Sequence, residues 1–220
     1  MAKKLFIFDY DGVIADSLEM CIDTINKFGE IHGYTGKLTK DAIEVLPSVS
    51  DVAAFKILGI APEDYHLYKT DYMDRLKDNA MKSPIFDGID DIMKLVKANG
   101  DILAVNTANG SGTVRRRLEL SGLGDLPDFI VGADTEGSKS EKIILMMQKF
   151  GISKENTYMI GDSMGDITEG KKAGVHTVAV TYGWQPKKVL EKVNPEVICE
   201  SVSKLEGYIK KKPGFNPCHK

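Results

Sequence analysis

The chain has 220 residues, 42% of them apolar and 28% charged, and 29 basic against 32 acidic side chains leave a formal charge of -3. This is an ordinary globular composition, long enough for one large domain or a domain with an insert. It lacks the strongly basic balance that a bulk grip on nucleic acid needs. No apolar run approaches the length of a membrane span, and the apolar stretch after Lys3-Lys4 meets Asp9 too soon for a signal peptide. Three widely spaced cysteines, Cys21, Cys199 and Cys218, include no pair at metal-ligand spacing, which points to a reducing cytoplasm.

In chain order, Leu5–Phe8 is the first short apolar run, continuous as in a strand covered on both faces. From about Ser17 to Pro84 no strand pattern follows. Leu18, Ile22, Ile25 and Phe28 form a helical stripe, and Ser50–Leu58 and Pro62–Ala80 also read as helices, the second rich in charge. Such a block is either a small helical domain seated above the sheet or a set of helices covering one face. Beyond it, strand and helix alternate. Ile89, Ile92, Met93 and Val96 repeat at helical spacing up to a stop at Asn99-Gly100, and the strand Ile102–Val105 follows. A helix begins near Ser111 and ends at Gly122, ahead of the strand Phe129–Val131. Ile143, Met146, Met147 and Phe150 mark another helix, stopped by Gly151, and strands follow at Tyr158–Ile160, Thr177–Val180 and, more weakly, Val197–Cys199. This alternation implies βαβ units, a parallel sheet and an α/β fold. There is no repeat or low-complexity tract. The tail Lys210–Lys220 reads as a partly mobile end, and its Cys218-His219 pair as incidental.

Ligands of a parallel sheet bind beyond the carboxyl ends of its strands, so the residues at those ends matter most. The first strand ends in Asp9-Tyr10-Asp11-Gly12, the second in Thr107 followed by Ala108, and the fourth in Asp162 with Asp166 four residues on; Lys139 precedes the helix that carries Ile143. Taken singly, each has a plain structural reading as a turn, a cap or a solvated side chain. Together they place several carboxylates, a hydroxyl and an ammonium on one rim. Carboxylates so crowded need a cation to ionise together, and oxygen ligands with few histidines favour Mg²⁺ over zinc. A carboxylate attacking a phosphoryl group fits this set. Asp9 would attack and Asp11, two residues on, would shuttle the proton. Thr107 and Lys139 would meet the phosphoryl oxygens. The Ser138-x-x-Glu141 capping box puts Lys139 in a first helical turn, where anions are favoured.

These residues in this order resemble the four motifs of the haloacid dehalogenase superfamily of phosphohydrolases, over nearly the whole chain: Asp9-Tyr10-Asp11-Gly12, Thr107, Lys139 and Gly161-Asp162-Ser163-Met164-Gly165-Asp166. The resemblance is closest to the phosphoglycolate-phosphatase-like branch, in which a helical cap is inserted soon after the first motif. It implies that Asp9 is nucleophile and metal ligand, and that Asp11 is general acid/base with its backbone carbonyl on the metal. Thr107, the backbone N–H of Ala108 and Lys139 would hold phosphoryl oxygens. Asp162 would be the third protein ligand to Mg²⁺, and Asp166 would support the metal shell or Lys139. Ala108 stands where Asn or Ser is common and Gly165 where Asn is frequent. Lys139 lacks the following proline of many relatives, so Lys142 is a competitor for its role.

The expectation is therefore a Rossmann-like parallel sheet core, residues 1–16 and 84–220, with a small inserted helical cap domain at 17–83. The function implied is a cytoplasmic, Mg²⁺-dependent phosphatase for a small phosphomonoester, phosphoglycolate by resemblance, as monomer or homodimer and with no nucleic acid or membrane partner. A sugar-phosphate phosphomutase and a non-catalytic phosphate-binding module are the alternatives. The loop Val45-Leu46-Pro47-Ser48 corresponds to the cap segment that reaches the site in relatives, although a plain helix-ending loop explains it too. Within its helix, at least one of Arg115-Arg116-Arg117 must face away, which favours a solvated face over a phosphate clamp. His32, His66, His176 and His219 show no pairing that suggests metal or catalysis.

Overall fold

The computed structural model describes residues 3–46, 51–67 and 83–212. Six strands form one sheet: β1 (Leu5–Phe8), β2 (Ile102–Asn106), β3 (Phe129–Val131), β4 (Thr157–Gly161), β5 (His176–Val180) and β6 (Val197–Cys199). Every pairing is parallel and the order is β3-β2-β1-β4-β5-β6. The central strands are apolar and buried along nearly their whole length, β1 completely, because helices cover both faces. One face packs Phe6, Phe8, Leu103, Val105 and Ile160 against α4 (Ile89–Ala98) and α5 (Ser111–Leu120). The other packs Leu5, Ile7, Ala104 and Met159 against α6 (Lys139–Phe150). Alternate β1 residues thus serve opposite layers, as the twofold period of a strand requires.

Strand order reverses between β1 and β4, one flank running to β2 and β3 and the other to β5 and β6. In an open parallel sheet that switch point opens a crevice beyond the strand ends. The two helices that rise beside it are capped at the crevice. Ser138 accepts from Glu141 N–H and completes a capping box at the start of α6, and Ser163 does the same with Asp166 for α7 (Met164–Ala173).

Between β1 and α4, the described residues form helices and no strand: α1 (Leu18–Ile31), α2 (Lys40–Glu44) and α3 (Asp51–Leu58). Leu18, Cys21, Ile25, Phe28, Leu38, Ile43, Phe55, Leu58 and Ile60 make a hydrophobic cluster separate from those of the sheet. Of the helix expected over Pro62–Ala80, the described part is a 3₁₀ turn at Pro62–Tyr65 that Pro62 opens and that passes into α-helix at His66 and Leu67, and residues 68–82 lie outside the described residues. So do Pro47, Ser48 and the tail from residue 213, including Cys218 and His219. Later in the chain come α8 (Lys187–Leu190) and α9 (Val202–Lys210). No helix among the described residues is long and apolar enough to cross a membrane.

Candidate active site

The sheet register delivers the acidic residues to the switch point. Asp9 directly follows β1, and its N–H donates to Ile160 O of β4 at 2.9 Å. The pairing of Phe8 with Ile160 sets Asp9 level with Gly161 and one step short of Asp162, while Phe8 opposite Val105 sets Thr107 just beyond Asp9 on the other side. Carboxylate oxygens of Asp9, Asp162 and Asp166 all lie within 4.8 Å of one another. Into this knot reaches Lys139, whose Nζ is 2.7 Å from Asp9 Oδ2 and 2.6 Å from Asp166 Oδ1. Asn106 of β2 fixes the first turn of α6 by donating to Lys139 O at 3.1 Å. Lys142 turns away and donates to Gly132 O at 2.9 Å, so of the two competing lysines only Lys139 touches the carboxylates.

The charges do not balance locally. Burial raises Asp9 from 3.8 to about 8; Lys139 opposes the rise and the Asp166 charge adds to it. Burial, then the charges of Asp166 and Asp9, also push Asp162 well above the ordinary carboxylate range. Burial alone would lower Lys139, but the carboxylates of Asp166 and Asp9 outweigh it and the ammonium is held more firmly than usual. Asp166 has both oxygens engaged, one by Lys139 and the other by Ser163 N–H and Oγ–H, so one ammonium is shared between Asp9 and Asp166, and among the described residues Asp162 has no direct cation partner. Closely set, oxygen-only, under-compensated donors are what a hard divalent ion such as Mg²⁺ requires, so the residues present fit that ion.

Two glycines make room for Asp162. Gly12 has φ of +76°, and a Cβ there would come within 1.9 Å of Asp162 Oδ2; one at Gly183 would come within 2.5 Å of the same atom. The backbone can therefore close over this carboxylate only with no side chain at either position. Trp184 N–H donates to Asp162 Oδ2 at 2.7 Å, while its ring packs onto the hydrophobic cluster of residues 18–60. Beside it, the buried Gln185 accepts from Met164 N–H at 2.7 Å and donates to Leu46 O at 2.8 Å. The Trp184-Gln185 pair thus links the helical segment to the carboxylate rim.

Asp11 stands one step outside the knot. Its Oδ2 accepts from Asn109 Nδ2, and its Oδ1 lies 3.7 Å from Arg117 Nη1. Burial raises its pKa and Arg117 opposes the rise. Thr107 is buried at the end of β2 with its Oγ1 accepting from Asn109 N–H at 3.0 Å, and Ala108 is exposed in the same turn. The sequence motifs thus meet on one rim. Asn109, Arg117, Trp184 and Gln185 were not singled out for it, and a solvated face describes Arg115 and Arg116 but not Arg117, which is 3% exposed.

Residues 6–180 match the family model described as haloacid dehalogenase-like hydrolase. Among curated relatives, the chain is 30% identical over 217 residues to pyrophosphatase PpaX of Halalkalibacterium halodurans, covering 93% of this chain and 96% of that protein. It is 25% identical over 212 residues to phosphoglycolate phosphatase 1 of Pseudomonas aeruginosa, covering 92% and 78%. A solved haloacid dehalogenase-like family hydrolase from Streptococcus pneumoniae superposes with a TM-score of 0.82 at 18% identity, over 94% of this chain and 98% of that one. At that identity the likeness speaks for the fold alone.

Proposed function

The chain belongs to the haloacid dehalogenase-like hydrolases, and from that membership we propose that it is a Mg²⁺-dependent phosphatase that cleaves a small phosphomonoester through an aspartyl-phosphate on Asp9. One observation carries this reading: the Lys139 ammonium bridges Asp9 and Asp166 at the switch point of the sheet, with Asp162 in the same knot. A buried carboxylate beside a fixed ammonium can attack an anionic phosphoryl group only where positive charge surrounds the incoming oxygens. Lys139, the Thr107 hydroxyl and the Ala108 N–H would supply donors to those oxygens. Asp9, Asp162 and the main-chain carbonyl of Asp11 would hold Mg²⁺, with Asp166 behind Lys139. When bound, the ion supplies positive charge that offsets the carboxylates and the phosphoryl group.

In the first half-reaction an Asp9 carboxylate oxygen bonds to phosphorus as the ester P–O bond breaks, and Asp11 gives its proton to the leaving oxygen. In the second, Asp11 takes a proton from the water that attacks phosphorus, and Asp9 departs as a carboxylate with inorganic phosphate released. Residues 17–83 act as a cap that covers the leaving group and excludes water during transfer. Its own hydrophobic cluster and its tether through Gln185 to Leu46 O support that role.

Phosphoglycolate is the first substrate to test, since a phosphoglycolate phosphatase is among the relatives. Inorganic pyrophosphate is the second, because the relative at 30% identity is a pyrophosphatase. In pyrophosphate the leaving group is itself a phosphate. The test is a panel of small phosphomonoesters and pyrophosphate, assayed with Mg²⁺ and with EDTA. Phosphate release that depends on Mg²⁺, and that Asp11→Asn slows by roughly a hundredfold, is expected. No release from any member, or an Asp11→Asn variant as fast as wild type, overturns the reading.

A further inference from the structure

The three consecutive arginines of α5 have different fates. Arg115 and Arg116 are exposed, whereas Arg117 turns inward and is 3% exposed. Its guanidinium carbon lies 5.2 Å from the centre of the Tyr10 ring, and Nη1 lies 3.7 Å from Asp11 Oδ1. Among the described residues Nε, Nη1 and Nη2 meet no acceptor at good hydrogen-bond geometry, nor Asp11 Oδ1 a donor, although Arg117 lies near enough to the Tyr10 hydroxyl, and Ser17 to the Asp11 carboxyl, for weak polar contact. A guanidinium keeps its charge at any working pH and carries five N–H donors. Burying it unbonded is expensive, and an apolar side chain of similar volume would pack against Tyr10 without that cost. The 3.7 Å gap is just beyond hydrogen-bond reach, so a modest approach of the two groups would complete the bond, and the Asp11 carboxyl is already tied through Oδ2 to Asn109.

We propose that Arg117 is a positioning residue, the fixed counter-charge that, with Asn109, holds the Asp11 carboxyl in line for proton transfer to the leaving group. This rests on the phosphatase reading above. As the Asp9 oxygen–phosphorus bond forms and the ester bond breaks, the proton of Asp11 passes to the leaving oxygen and Asp11 becomes a carboxylate. At that moment the unpaired donors of Arg117 gain their acceptor, so the interaction is stronger late in the step than at its start, the condition for speeding it. When the attacking water later returns a proton to Asp11, the pair reverts. In this role Arg117 acts through Asp11 and not on phosphorus or the leaving oxygen.

Leaving-group dependence provides the test, because a nitrophenolate departs without a proton and a poorer leaving group does not. kcat/KM would be measured with Mg²⁺ over a series from p-nitrophenyl phosphate to phenyl phosphate, since this quantity reports the steps up to the first irreversible one. Wild type, Arg117→Met, Arg117→Lys, Asp11→Asn and the exposed-face control Arg116→Met would be compared. Arg117→Met should lose about tenfold more on phenyl phosphate than on p-nitrophenyl phosphate, steepening the dependence towards that of Asp11→Asn. Arg117→Lys should restore part of the difference, and Arg116→Met should match wild type. An equal loss on both esters, or no loss, makes Arg117 a packing residue and overturns the proposal while the phosphatase reading stands. If Arg117→Met does not fold, the uncharged Arg117→Gln takes its place, and a slope equal to wild type there overturns the proposal in the same way. Wild type inactive on the whole series overturns the role given to Arg117, and wild type inactive on the panel above as well overturns both.

Discussion

At the N-terminal end of β2, Asp101 is 5% exposed, and its two oxygens accept from Lys4 N–H at 2.8 Å and Asn99 Nδ2 at 2.7 Å. Nearby, Asp128 accepts from Leu103 N–H at 2.9 Å and pairs with Lys97. Each of these acids has donors matched to both oxygens. At the opposite end of the same sheet, Asp9, Asp11, Asp162 and Asp166 gather, among the described residues, within reach of two buried or half-buried cations, Lys139 and Arg117, and Asp11 Oδ1 meets no donor there at hydrogen-bond geometry. A fold can give each oxygen of such a carboxylate its own donor, as the first end shows. The surplus negative charge at the second end is therefore not a by-product of burial. Such a surplus is what the proposed binding of a divalent cation and an anionic phosphoryl group would call for.

Removing the central acid should have the largest effect. Asp9→Asn should lower kcat by more than about a thousandfold while the protein stays folded; turnover near wild type would end the nucleophile assignment. The same variant sharpens the contrast between the two ends through pH. Asp9 titrates at about 8 in the folded chain against 3.8 for the unperturbed group. Below the lower value both states hold the proton. Between the two, the folded chain keeps a proton that the unfolded chain has released, so stability contributed by this group falls as pH rises through the window. Asp9→Asn removes that loss. In EDTA, its melting temperature relative to wild type should climb from about pH 5 to about pH 8; a difference independent of pH would contradict the burial argument.

The two lysines at the start of α6 come next. Lys139→Met should cost about a hundredfold in kcat, since it strips the knot of its ammonium. Lys142→Met should leave turnover near wild type and lower stability by about 1 kcal/mol, the worth of its bond to Gly132 O. Equal effects on turnover would mean that the site is not organised around Lys139.

Much of this was legible from short-range pattern. All six strands follow from apolar runs, to within one residue at either end, because burial on both faces writes itself into consecutive residues. The Ser138–Glu141 box and the αL stop at Gly151, φ of +63°, are equally local, and so α6 and its first residue, Lys139, could be placed. What escaped depends on distance along the chain. Asn109 reaches Asp11 across 98 residues and Gln185 reaches Leu46 across 139. Nothing near either residue announces its partner. Arg117 was hidden for a different reason: a run of three arginines reads as solvated, and only the pitch of α5 against Tyr10 decides which one turns inward. The helix expected over Pro62–Ala80 was overdrawn at its start, where the chain forms a 3₁₀ turn.

Two smaller effects probe the satisfied end and the margin of the site. Asp101→Ala should lower stability by about 2 kcal/mol, because Lys4 N–H and Asn99 lose their acceptor in a buried setting, and kcat should not move. A change in kcat would mean that the two ends of the sheet are coupled. Ser138→Ala removes the cap of the helix that carries Lys139 and should cost about 1 kcal/mol in a denaturant titration. Its effect on turnover tests what aims the ammonium. Asn106 holds Lys139 O from β2, and Asp9 and Asp166 hold Nζ from the end of β1 and the first turn of α7. With three holds remaining, turnover should stay within about twofold of wild type. A tenfold fall would instead show that the cap, and not the sheet, sets the direction of Lys139.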